Sequence, residues 1–150
     1  MPDMTQTTIS IRTAQDADAP AVIALWQAAG LTRPWNDPAT DYALALAHPM
    51  ARVLIADDRG RDGHSPVGTI MAGYDGHRGW FYYLGVAPTA QRQGIGRMLV
   101  RAAEAWLTSV GCPKAMLMVR SDNAAVTAFY TALGYEAQAV TTLGRRLDGR

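Results

Sequence analysis

Two hydrophobic periods alternate along this chain, and each change of period marks an element. In "TTISIRTA", Ile9 and Ile11 alternate with polar neighbours, the pattern of a half-buried strand. From Asp16 to Gly30 the spacing turns helical: Val22, Ile23, Leu25, Trp26 and Ala29 recur on one side, and Gly30 is a natural stop. Two prolines make "LTRPWNDPAT" a loop, after which "DYALALAH" reads as a short helix ended by Pro49. "RVLIAD" and "VGTIMAGY" read as hairpin partners around the turn-rich "DDRGRDGHSP", with "DGHRG" as the next tight connection. "WFYYLGVA" is the most apolar strand and is expected to be central and buried on both faces.

From Gln91 the period is helical again, with Ile95, Leu99, Ala102, Ala103, Trp106 and Val110 on one stripe that ends at "GCP". "AMLMV" is a further buried strand. Lying one helix beyond "WFYYLGVA", it should be its parallel neighbour. "NAAVTAFYTALG" reads as a last helix with Val126, Phe129, Tyr130 and Leu133 inward, and "YEAQAVTTLGRRL" as one bent strand or a final pair. The order β-α-α-β-β-β-α-β-α-β describes a mixed α/β sheet in a single domain spanning residues 1–150.

Composition narrows the class. With 150 residues and 49% hydrophobic content, the chain can bury a substantial core. A formal charge of +1 without charge blocks argues against a nucleic-acid binder or a membrane-surface helix. No apolar run approaches the roughly 20 residues of a membrane span. The single cysteine, Cys112, permits no internal disulfide and suggests a cytoplasmic home. His48, His64 and His77 lack ligand spacing, so no metal is expected.

"QRQGIG" poses the chemical question, because it places two glycines where a helix starts. A helix N-terminus leaves backbone N–H groups unpaired and carries partial positive charge, so it attracts phosphate. Gly94 and Gly96 remove the Cβ atoms that would hold a pyrophosphate away, and Arg92 and Arg97 flank the turn. Two nucleotide motifs fit worse. A dinucleotide fingerprint needs glycine at the place of Leu99, and a P-loop needs Gly-Lys-Ser/Thr.

"LGVAPTAQRQGIGRMLV" resembles the acetyl-CoA signature of the GNAT N-acetyltransferase superfamily, Gln/Arg-x-x-Gly-x-Gly/Ala, here Gln91, Gly94 and Gly96. "NAAVTAFYTALGY" resembles the second signature, in which Asn123 opens a helix and Tyr130 follows seven residues on. "RPWNDP", "AGYDGHRG" and "YYLGV" resemble the bacterial YpeA-type branch, with a departure at Ala72. The resemblance implies an acyl-CoA N-acyltransferase fold: a mostly antiparallel sheet with one splayed parallel pair and about four helices. It also implies transfer of an acetyl group from acetyl-CoA, as cosubstrate, to the primary amine of a small molecule, protein or peptide.

By the same resemblance, the backbone from Gln91 through Arg92, Gln93, Gly94, Ile95, Gly96 and Arg97 would hold the CoA pyrophosphate. Leu84 and Val86 would pair with the pantetheine arm as an added strand. Asn123 would bond the arm, cap its helix, or do both. Tyr130 is either a core tyrosine or the donor of a proton to the departing thiolate: a phenol of pKa about 10 is protonated at neutral pH, and the thiol's pKa is about 8.5.

The acceptor side is less defined. An alkylammonium of pKa about 10.4 costs roughly 4–5 kcal/mol to deprotonate at pH 7. Many GNAT enzymes use a glutamate on the strand that here reads "WFYYLGV", which holds no carboxylate. Asp75 or Asp37 could act through water, and Tyr82 or Tyr83 could relay; turn and loop roles fit these residues as well. Arg33, Trp35, Asn36 and Asp37 combine a cation, an aromatic and acceptors on one loop, a composition suited to ligand contact. The missing carboxylate also leaves open a CoA-binding module that senses without turnover. Exposed strand edges make a homodimer the expected assembly.

Overall fold

A computed structural model describes residues 8–60 and 65–149. The order is β1 (Ile9–Thr13), α1 (Ala19–Ala28), α2 (Pro38–Ala47), β2 (Ala51–Asp58), β3 (Ser65–Tyr74), β4 (Gly79–Val86), α3 (Ile95–Ser109), β5 (Ala115–Leu117) and α4 (Ala124–Ala132). The chain divides into two compact units at Leu117/Met118.

In the first unit the five strands lie in sequence order, β1 to β5. The first three pairings are antiparallel, and β4 with β5 is the one parallel pair, as the intervening helix requires. Alternation along β2 and β3 divides the side chains between two layers. Val53 and Ile55 join Val22, Leu25, Trp26, Tyr42 and Ala45 in a cluster with α1 and α2. On the other face a Cβ at Gly68 would lie 2.9 Å from Ile95 and Leu99, so α3 sits directly on the β3 backbone there. Trp26, Ile55, Ile70, Ile95 and Leu99 are essentially inaccessible, each stabilising the fold by about 1.5–3 kcal/mol through burial.

Several boundaries differ from the expectation. The first helix is preceded by a 3-10 turn at Asp16–Asp18, because Pro20 sits at the start of the α-helix, where a missing N–H costs nothing. α2 begins at Pro38, three residues before "DYALALAH", because Asp37 caps it. β3, not β4, is central. β4 is next to last in the sheet, and Tyr82 is 44% exposed, so the strand is not buried on both faces. β5 is three residues long and half-buried, shorter than the buried "AMLMV" expected.

The second unit holds α4 and the chain that follows it. The bent strand or pair expected in "YEAQAVTTLGRRL" is not formed: no described residue after Ala132 is in a strand, and Val140, Leu143 and Leu147 are exposed. A strand is stable only with a ladder partner, and β-propensity alone supplies none. Part of the turn in "DDRGRDGHSP", residues 61–64, lies outside the described residues.

Candidate active site

The parallel ladder between β4 and β5 ends at the pair Phe81–Leu117, while β4 continues to Val86. The register of β4 against β3 breaks at the same point: Met71 pairs with Tyr82 and Thr69 with Gly85, leaving Tyr83 and Leu84 together opposite Ile70. This is a β-bulge. Its first residue, Tyr83, has φ of 53°, left-handed and costly for an aromatic side chain by about 1–3 kcal/mol.

Beyond β4 the chain makes a 3-10 turn at Pro88–Ala90 and enters the glycine segment. Gln91, Arg92, Gln93 and Gly94 are exposed, and the helix starts only at Ile95, later than the periodicity suggests. Arg92 (φ 66°) and Gly94 (φ 76°) are both left-handed, which turns the chain sharply into α3. The first bond across the helix start runs from the Met98 N–H to the Gly94 carbonyl at 3.1 Å. The N-cap is Gly94, which has no side chain to cap the helix, and the first turn holds no acidic residue. A left-handed residue leading into a right-handed turn makes a concave group of N–H donors suited to an anion. Ile95 is buried and anchors the turn on β3, while the Gln91 side-chain amide points at the Val86 carbonyl at 3.5 Å. The first unit thus brings Leu84, Val86 and Gln91 through Arg97 into one continuous strand–turn–helix.

The residues considered for the acceptor carry their own bonds. Arg33 Nη1 donates to the carbonyls of Gly30 (2.9 Å) and Thr32 (2.8 Å), and the Asn36 N–H donates to the Arg33 carbonyl. Trp35 is 51% exposed. Asp37 accepts from the Ala39 N–H at 3.0 Å and the Thr40 hydroxyl at 2.9 Å, so its carboxylate serves as the cap of α2. Asp75 Oδ1 accepts from the N–H groups of Arg78 and His77, both at 2.8 Å, which hold its pKa below the ordinary value. Burial, then the charge of Asp75, pushes the Tyr82 hydroxyl up.

One pair escaped the sequence reading. The Tyr83 hydroxyl donates to Asp41 Oδ2 at 2.6 Å, bringing a carboxylate from α2 onto a strand that has none of its own. The Tyr83 ring stacks on Trp26 of α1, with centroids 3.9 Å apart and planes 10° off parallel. Burial first, then the bond to Asp41, raises the Tyr83 pKa well above the usual phenol value. Nothing local in the sequence points to Asp41, an ordinary polar position on a short helix.

In the second unit, Asn123 Oδ1 accepts from the Val126 N–H at 3.2 Å and opens α4 as a cap. Tyr130 is the buried residue of that helix, 6% exposed, with Phe129 and Tyr135 edge-on to its ring. Burial pushes its hydroxyl up to about 12.

Comparison with known proteins agrees with this architecture. The model of the acetyltransferase (GNAT) family matches residues 19–135, across both units. An acetyltransferase of Pectobacterium atrosepticum is 45% identical over 139 residues, 93% of this chain and 96% of that protein. Among solved structures, the aminoglycoside N-acetyltransferase AAC(6')-Iy in complex with CoA superposes with a TM-score of 0.77 at 18% identity, covering 93% of this chain and 95% of that one. The ribosomal-protein-S18-alanine N-acetyltransferase of Escherichia coli gives 0.72 at 25% identity, covering 87% and 79%. In the described residues no helix is long and apolar enough to cross a membrane. The chain belongs to the GNAT family and is an acetyltransferase.

Proposed function

We propose that the protein transfers an acetyl group from acetyl-CoA to a primary amine of a small molecule or of a protein or peptide. The observation that carries this reading is the uncapped start of α3, entered through left-handed Gly94 directly after a strand whose parallel ladder parts at Phe81. The amides from Gln91 through Arg97 hold the pyrophosphate, with Arg92 and Arg97 adding charge. Leu84 and Val86 offer backbone groups to the pantetheine arm. The CoA bound to AAC(6')-Iy, a structure of the same fold, supports the choice of cosubstrate.

Tyr130 donates a proton to the departing thiolate as the thioester C–S bond breaks, and its phenolate recovers a proton from water, which takes up the one the amine releases. A hydroxyl with a pKa pushed up to about 12 is fully protonated at neutral pH, as an acid must be. Asn123 combines its capping bond with a donor amide for the arm. The neutral amine attacks the acetyl carbonyl and loses its proton to water near Asp37 or Asp75, with Tyr82, Arg33, Trp35 and Asn36 bordering the acceptor.

The test mixes protein, acetyl-CoA and a panel of amines and peptides, and reads free thiol. Thiol release above the uncatalysed rate is expected with at least one acceptor; none, with CoA bound, would reject turnover. That second outcome favours a CoA sensor, a reading motivated by the absence of a carboxylate from β4. Such a sensor would still gain about 2.7 kcal/mol of stability at a hundredfold excess of CoA over Kd.

A further inference from the structure

The bulge in β4 needs an explanation that the acetyl-CoA reading does not itself supply. In a regular ladder, Tyr83 opposite Ile70 would share the face of Gly68, the face that carries α3. Its left-handed φ instead swings the ring to the opposite face, onto Trp26 of α1. Such a conformation persists only where neighbours over-determine it. Here three do. Trp26 is fully buried and offers its flat face, Asp41 accepts the hydroxyl proton at 2.6 Å, and Asp41 is held on α2, its own N–H bonded to the Asp37 carbonyl at 3.0 Å.

Beyond the bulge, Gly85 faces the end of α1 and the residues just after it so closely that a Cβ would lie 2.7 Å from Leu31 and 3.2 Å from Ala29. If the bulge relaxed into a regular ladder, every residue after Tyr83 would exchange faces. The strained residue also lies just past Phe81, the last residue of β4 paired to β5. The strain, the loss of pairing and the stretch Leu84–Val86 therefore fall at one point in the strand.

We propose that Asp41 and Tyr83 are a positioning pair: their hydrogen bond, backed by Trp26, holds the bulge and so keeps Leu84–Val86 oriented for the pantetheine arm. The proposal rests on the acetyl-CoA reading above. The pair touches neither the acyl group nor the amine. It acts through the backbone of β4, so its loss shows in cosubstrate affinity rather than in turnover.

The experiment measures CoA affinity by calorimetry, well below the unfolding temperature, for wild type, Tyr83→Phe, Asp41→Ala, Asp41→Asn and the Tyr83→Phe/Asp41→Ala double variant. Tyr83→Phe and Asp41→Ala should each weaken CoA about tenfold, raise the KM for acetyl-CoA in parallel and change kcat less than about threefold. The double variant should be no weaker than either single one, and Asp41→Asn, which keeps an acceptor oxygen, should restore affinity. Tyr42→Phe is the control for general destabilisation, since it removes the 2.5 Å bond to the Gln15 carbonyl beside the same Trp26; it should lower Tm with CoA affinity intact. Should Asp41→Ala fail to fold, Tyr83→Phe and Asp41→Asn decide the matter. Wild-type affinity in Tyr83→Phe overturns the positioning pair alone. Failure of the wild type to bind CoA overturns the acetyl-CoA reading, and this inference with it.

Discussion

Arg12 on β1 donates through Nε to Asp57 on β2 at 2.5 Å, and its two terminal nitrogens hold both oxygens of Asp18 at 2.8 Å. One guanidinium thus ties the first strand, the second strand and the turn before α1. Asp57 is 3% exposed, and among the described residues its Oδ1 has no hydrogen-bond partner and Arg12 supplies the one side-chain bond to its buried carboxylate. Arg12→Ala should therefore destabilise the fold by about 2–3 kcal/mol. That lies at or below the lower end of the range for breaking a buried pair, because Arg12 itself is about a third exposed. Urea unfolding at pH 7 measures it.

The same guanidinium gives the fold an acid-sensitive component. Its hydrogen bonds hold the Asp18 carboxyl below the usual carboxylate value. A lowered native pKa means that the unfolded chain takes up the proton first. The stabilisation is complete above the ordinary value near 4 and is lost as pH falls through the native pKa. Asp18→Asn should lower the urea midpoint at pH 6 and bring it closer to that of wild type at pH 3.

Gly94 separates backbone strain from ligand approach. At φ of 76°, with nothing within 4 Å of an added Cβ, Gly94→Ala meets no steric neighbour and should cost about 1–2 kcal/mol of stability from the left-handed conformation alone. Gly111, at φ of 87° and equally open at the far end of α3, provides the matched control. Both alanine variants should lose similar stability in thermal unfolding. Calorimetry should show CoA affinity falling tenfold or more for Gly94→Ala and unchanged for Gly111→Ala.

Much of this was legible in the sequence because the signals are local. The parallel partnership of β4 and β5 follows from one intervening helix, and the glycine turn from a short motif. What could not be read depends on partners elsewhere in the chain. Tyr83 meets Asp41 across 42 positions, and no periodicity encodes that contact. Alternation assumes a regular pleat, so it assigns Tyr83 to the wrong face once a bulge intervenes. The helical stripe beginning at Gln91 overran the true start at Ile95, because periodicity cannot sense the left-handed φ of Arg92 and Gly94. The tail from Tyr135 to Leu147 has strand-like residues but no described ladder to join.

Tyr130→Phe should separate chemistry from binding. The ring and its edge contacts with Phe129 and Tyr135 remain, so folding and CoA affinity should stay near wild type. Removal of a proton donor should lower kcat by about 10²–10⁴. With a hydroxyl pKa pushed up to about 12 by burial, the wild-type rate should show no fall from Tyr130 titration up to about pH 10. A stopped thiol assay across pH 6 to about pH 10 reads both effects.

Asn123 can distinguish a cap from a ligand contact, because the proposed function gives its two side-chain atoms different partners. The oxygen accepts the Val126 N–H at 3.2 Å, and on the proposed reading the amide nitrogen donates to the cosubstrate. Aspartate caps a helix as well as asparagine does, so Asn123→Asp should keep stability within about 0.5 kcal/mol, whereas Asn123→Ala should lose about 1 kcal/mol. Aspartate cannot donate to a pantetheine carbonyl, and its charge repels the phosphates. Asn123→Asp should thus weaken CoA roughly tenfold while unfolding like wild type, a loss of about 1.4 kcal/mol that falls on binding alone. If Asn123→Asp bound CoA as wild type does and only Asn123→Ala changed, by unfolding more easily, the residue would be a helix cap and nothing more.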